Sequence, residues 1–240
     1  GASMFKRSSV TVIMVLFALS VIFTGNVFAE EHEIKGYLSL GGVSFDMDNL
    51  NTSLDNKGFS KFSDDLFSIG GGAFHKVAPR FLIGAEGHFL IGKQISSDIG
   101  TKTYTSSILG GYGLLNMGYL AHTSDHLDVM PILGLGLGGL NLKIGESSFD
   151  AILDNPTRAA SLYTMSFLFN FALQTEYKVK ILDDNGKDAF FCVGLQAGYL
   201  LSPFDSGWYM DEIALTDDPD GGLSGPYLRL TIGGEGTIDK

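Results

Sequence analysis

The chain has 240 residues, a net charge of −11 from 27 acids and 16 bases, 45% hydrophobic residues, 32 glycines, one cysteine and a mean hydropathy of +0.18. The acidic balance argues against a nucleic-acid binder, the lone thiol against a disulfide scaffold or multi-cysteine metal site, and the apolar content against disorder. High hydropathy beside abundant glycine suits a structure whose apolar side chains face lipid around a narrow interior.

Residues 1–3 read as an expression scar, and residues 4–29 as a cleavable export signal. Lys6 and Arg7 precede an apolar run from Val10 to Phe23, and Val27-Phe28-Ala29 places small residues where a signal peptidase reads them. The run is shorter than the roughly 20 residues of a bilayer-spanning helix. Cleavage before Glu30 removes Lys6 and Arg7 and leaves 14 bases against 27 acids, a mature charge of −13. Residues 30–240 form the single predicted domain. Its strongly apolar stretches, Met130 to Leu142 and Met165 to Leu173, are broken by glycines, Pro131 or Asn170. A chain this apolar without a spanning helix has one other way to satisfy its backbone in lipid, a closed β-barrel.

Eight segments alternate with the period of two that marks strands: Ile34 to Phe45, Leu66 to Val77, Phe81 to Gly92, Ser107 to Leu120, Leu127 to Leu140, Leu162 to Val179, Phe190 to Leu201 and a last one around Tyr227 to Glu235. The alternation is clearest where Phe167, Phe169 and Phe171 oppose Ser166, Asn170 and Gln174. Phe81, Ile83, Phe89, Tyr199, Leu228 and Leu230 join those phenylalanines on the expected lipid face. The opposite face is glycine, small or hydrogen-bonding, which suits the lumen of a barrel of about eight strands. Connections alternate between long and short. The long ones lie near 46–65, 93–106, 141–161 and 202–224; Ala78 to Arg80, Ala121 to His126 and Leu182 to Asp188 are short, the last containing Asp184-Asn185-Gly186, a hairpin-turn signal. Tyr119, Tyr163, Tyr177 and Tyr199 fall towards segment ends, where an aromatic girdle would lie. The fold predicted is therefore all-β, an eight-stranded antiparallel up-and-down transmembrane β-barrel.

In this architecture the chain resembles the small eight-stranded outer-membrane β-barrel proteins of Gram-negative bacteria, a class that includes the OmpA transmembrane domain, OmpX and OmpW. The resemblance spans Glu30 to Lys240 and implies a multi-pass, monomeric outer-membrane protein, in contact with membrane lipid and lipopolysaccharide and inserted by the barrel-assembly machinery. Such proteins commonly end in an aromatic residue that this machinery reads. Here the chain ends Thr237-Ile238-Asp239-Lys240, so either an internal version of that signal around Tyr227 to Ile232 serves assembly or the outer-membrane assignment fails.

The predicted lumen carries Lys76, Glu86, His88, Asp128, Glu176, Lys178, Arg229 and Glu235. Charges in a narrow interior require partners, so Glu86 with Arg229, and Glu176 with Lys76, are the expected couples of a polar plug. Plugged, the barrel is a structural or interaction protein. Leu82, Leu90, Tyr112, Leu114, Leu168 and Phe190 on the same face suggest the alternative of a porin-like conduit for small hydrophobic molecules. Glu86-x-His88 with Ser106 and Ser107 allows a second alternative, a lipid A acyl hydrolase or transferase, but no Gly-x-Ser-x-Gly motif is present and no enzyme activity is predicted. No cofactor and no nucleic-acid partner are expected. Asp217, Asp218 and Asp220 in the last long loop are a weak Ca²⁺ candidate whose spacing does not fit an EF-hand loop. His75 is expected at the lipid interface, and Cys192 in the lumen as a small space-filler.

Overall fold

A computed structural model of the protein describes residues 32–148, 150, 159–184 and 187–238. The expected export signal, the turn residues Asn185 and Gly186, and part of the third long loop lie outside them. The strands are β1 His32–Ser44, β2 Asp65–Ala78, β3 Phe81–Ile91, β4 Ile95–Ile99, β5 Lys102–Tyr119, β6 His122–Thr123, β7 Leu127–Glu146, β8 Ala159–Asp184, β9 Lys187–Met210, β10 Ile213–Ala214 and β11 Gly225–Ile238. The eight long strands pair antiparallel in the ring β1–β2–β3–β5–β7–β8–β9–β11, and β11 returns to β1. Closure leaves no edge along the ring, so backbone groups find partners without water.

The ladder is sheared. A circuit leaving β2 at Leu66 passes Val43, Tyr227, Gly198, Ala172, Ile132, Gly118 and Leu82 and regains β2 at Lys76, position 66 having become position 76. Strands so staggered tilt by the roughly 35–45° of closed barrels. Pro131, which has no N–H to give, falls between the last β5–β7 pair, Gly118 with Ile132, and the β6–β7 pair of His122 with Val129.

Large inward side chains are set opposite glycines. Glu86 faces Gly72 and His88 faces Gly70 across β2–β3; Tyr112 faces Gly138 across β5–β7; Tyr227 faces Gly198 across β9–β11. A Cβ on Gly198 would stand 2.6 Å from the Tyr227 ring, and one on Gly72 would stand 2.8 Å from Glu86 Cβ. The lumen of an eight-stranded barrel has room for side chains from one wall only where the facing wall has none.

All four expected long loops are partly structured, the third at its two ends by β7 to Glu146 and β8 from Ala159. The first contains helix α1, Asp48–Asp55. Leu50 and Leu54, four residues apart, share its buried face, the Asp46 carboxylate accepts from the Asp48 N–H at 3.0 Å, and Gly58 at φ +82° follows its end. So short a helix is marginal alone and is held by packing. The second expected loop is mostly hairpin, β4 with β5, and the fourth is occupied to Met210 by β9. These departures share one cause. Beyond the bilayer the outward face of a strand meets water, so the hydropathy alternation fades while the hydrogen-bonded ladder continues.

Candidate functional site

The outer wall is apolar. Phe81, Ile83, Phe89, Phe167, Phe171, Tyr199, Leu228 and Leu230 are exposed on it, and Phe169 is half-exposed among them. On β3 this band runs from Phe81 to Ile91, the 9–11 residues a tilted strand needs to cross a bilayer. At the short-turn end Phe81 packs on Tyr119 at 5.1 Å and Tyr177 stacks on His126 at 5.9 Å, an amphipathic rim suited to a headgroup boundary. Tyr163 stacks on Tyr209 at 5.5 Å towards the long-loop end. No described helix is long and apolar enough to cross a membrane. This is a membrane-spanning barrel.

No protein-family profile and no curated protein matches the sequence. Among solved structures, the attachment invasion locus protein Ail of Yersinia pestis is 11% identical, matching 88% of this chain and 100% of its own at a TM-score of 0.40. A major outer membrane protein of Thermus thermophilus is also 11% identical, over 86% and 99%, at 0.43. The outer membrane protease OmpT of Escherichia coli is 10% identical, over 89% and 98%, at 0.30. The last two are named as outer-membrane proteins, and at this distance none of the three bears on the roles of the residues inside the barrel.

The barrel interior has three layers. At the long-loop end, wall residues Leu66, Leu90, Ile108, Leu140, Leu168 and Leu200 meet Phe45, Met47, Leu50, Leu54 and Phe62 from the first loop, with Trp208 and Leu223 from the last. Polar clasps fix these loops. Asn51 Nδ2 donates to the Phe62 carbonyl at 3.0 Å while Phe62 N–H donates to Asn51 Oδ1 at 2.8 Å. Trp208 donates from its backbone to Asp218 at 2.5 Å and from Nε1 to the Pro219 carbonyl at 3.0 Å, and Asn49 donates to Asp220 at 2.9 Å. Two of the three aspartates considered for Ca²⁺ thus anchor the last loop, and no cluster of three or more ligating side chains occurs among the described residues.

The middle layer centres on Arg229, 1% exposed. Its guanidinium carbon lies 3.8 Å from the Tyr227 ring centre and 5.4 Å from that of Tyr112, and Nη1 donates to His88 Nε2 at 3.2 Å. Glu86, the expected partner, comes only to 3.9 Å of Nη1; its close donors are Tyr37 Oη at 2.6 Å and Gln196 Nε2 at 3.4 Å. Because arginine can only donate, His88 Nε2 is the accepting nitrogen and the ring proton sits on Nδ1, 3.3 Å from Ser68 Oγ. A histidine held this way donates to the serine rather than taking its proton. Ser68 is 0% exposed, and Ser106, proposed beside His88 from the sequence, is not its partner. Tyr227 donates to Asn170 at 2.9 Å.

At the short-turn end lie the other charges. Lys35 pairs with Glu176, and lies 3.6 Å from both Asp128 and Glu235; Lys178 reaches Asp128 at 3.1 Å and Glu235 at 3.9 Å. Lys76 pairs with Glu33 rather than with Glu176. A cavity of about 50 Å³ opens among Glu33, Lys35, Lys76, Asp128, Lys178 and Glu235. Apolar side chains share this layer: Phe74, opposite Lys35, is buried together with Leu82, Met130 and Ile132, and Leu82 lines the cavity. Cys192 points inward and is buried, and His75 is half-buried near the short turns.

Sequence reasoning missed Lys35, Tyr37 and Glu33, and left Gln196, on the inward face, out of the polar network. Lys35 and Tyr37 were legible in principle, because Lys35, Tyr37 and Ser39 alternate with Leu38 and Leu40, but glycines at 36, 41 and 42 thin the pattern. Of the apolar residues considered for a conduit, Leu82, Leu90, Tyr112, Leu114 and Leu168 are all buried in packed layers.

Proposed function

We propose that this is a bacterial outer-membrane barrel with a closed lumen, a rigid lipid-embedded body that carries a structured crown outward. The observation that carries this reading is the long-loop end of the interior, packed shut by wall and loop side chains, with only a small cavity near the short turns. The apolar outer wall supports the membrane setting, and outer-membrane lipid and lipopolysaccharide are its immediate partners. The short turns face the periplasm and the long loops, with α1 and the β4–β5 hairpin, face outward, as export through the periplasm requires. The role is structural or one of surface interaction, by a monomer inserted with the barrel-assembly machinery.

The two alternatives fit less well. An apolar conduit would be interrupted by Arg229, Gln196 and Gln174, each 1% exposed or less. Lipid A chemistry needs a base, and the proton on His88 Nδ1 points at Ser68, away from that role. Planar-bilayer recording of the refolded wild-type protein tests the proposal: no steady conductance step is expected. A stable open level overturns the closed lumen, and recovery of the protein from cells without detergent overturns the membrane setting.

A further inference from the structure

We infer that the barrier to permeation is the apolar plug at the long-loop end, and that the polar middle is a hydrated chamber open to the short-turn end. This rests on the closed-lumen reading but places the closure in the loops instead of the ion pairs.

The ground is a set of buried polar atoms without a hydrogen-bond partner. Among the described residues these include Arg229 Nε and Nη2, and the free oxygens of Glu86, Gln196, Gln174 and Thr231. They are neighbours by register. Arg229 stands opposite Gln196, Gln196 stands opposite Gln174, and Glu86 already accepts from Gln196. Donors and acceptors are interleaved in the row. An ion of either sign would satisfy only one kind, whereas water bridges both.

The row continues towards the short turns. Gln174 donates to Glu176 at 2.8 Å, Glu176 pairs with Lys35, and Lys35 lines the 50 Å³ cavity, which is large enough for water. It does not continue the other way. There the lumen is sealed by Leu90, Leu168, Leu200 and Leu223, none more than 1% exposed. The hydroxyls at that end, Ser106, Thr164 and Ser166, also lack partners, but they are neutral groups on an aliphatic wall, Thr164 opposite Leu140 and Ser106 opposite Ile144, and do not extend the row of charges and amides. Leu50 and Leu54 on α1 complete the seal from the loop side.

Two measurements test this. Cys192 is the chain's single thiol, faces inward, and lies opposite Lys178, between the cavity and the glutamine row. Infrared spectra of the refolded wild-type barrel in D₂O are expected to show its S–H band replaced by S–D within minutes. A band that persists for hours overturns the hydrated chamber. In planar bilayers, Leu50→Asp/Leu54→Asp is expected to raise conductance at least tenfold over wild type, while Glu86→Gln stays as closed as wild type. Heat-modifiable gel mobility verifies that each variant is a folded barrel, and a variant lacking it is replaced by Trp208→Ala. A folded seal variant that stays closed, or a conducting Glu86→Gln, overturns the location of the barrier. A conducting wild type instead overturns the closed-lumen reading.

Discussion

The two ends of the lumen solve the problem of a narrow interior in opposite ways. At the long-loop end the wall is aliphatic and the chain folds its own loops into it, so α1 and the last loop supply side chains that the wall lacks. At the short-turn end the wall supplies everything, as three lysines and four acids within reach of one another, and the connections stay short. Packing at the first end comes from residues distant in sequence and is non-directional. At the second it depends on pairing, because a buried charge that loses its partner is far more costly than one never buried. Arg229 stands at the boundary, with aromatic rings on one side and hydrogen-bonding groups on the other.

Substitutions sharpen this contrast, beginning with the largest effect. Arg229→Ala leaves Glu86 without its nearest cation and opens a void against Tyr227, and is expected to cost about 3–5 kcal/mol in urea unfolding of the barrel in lipid. Arg229→Met/Glu86→Gln should recover much of that loss, and no recovery would mean that neither the void nor an unpaired Glu86 accounts for it. Leu54→Ala is expected to cost about 2–5 kcal/mol at the other end and to increase protease cleavage near α1. An unchanged cleavage rate would show that the helix is not held by its apolar face. Gly198→Ala should cost about 1–3 kcal/mol, because the new methyl meets the Tyr227 ring; a Gly198→Ala/Tyr227→Phe pair that is no better than the single change leaves the hydroxyl out of the clash. Lys76→Ala removes a partly exposed pair with Glu33 and should change stability by no more than about 1 kcal/mol. A larger loss would join this pair to the buried cluster around Lys35.

What the sequence disclosed followed the solvents. Lipid outside and a crowded lumen inside impose opposite demands on alternate residues, so Phe167 to Phe171 and Phe81 to Ile91 announced both their strands and their faces. Helix α1 was missed because Asp48–Asp55 has only Leu50 and Leu54 to signal it, and their spacing is too sparse a pattern inside a polar stretch. Lys35 was missed on a strand whose outward face is interrupted by Gly36 and Gly42. The pairings escaped for a different reason. Glu176 and Lys76 share the lumen, but which cation meets which carboxylate depends on stagger accumulated around the whole ring, and no single segment records it.

The glycines opposite large inward residues also bear on how the ring closes. Slipping one strand by a single residue would turn lipid-facing side chains inward, an error that hydrophobicity penalises at once. Slipping by two keeps every side chain on its proper face and escapes that penalty. Such a slip between β9 and β11 would bring Tyr227 against Gln196 or Leu200 in place of Gly198, where no space remains for its ring. Steric fit inside the lumen thus rejects the misalignments that the membrane itself would accept.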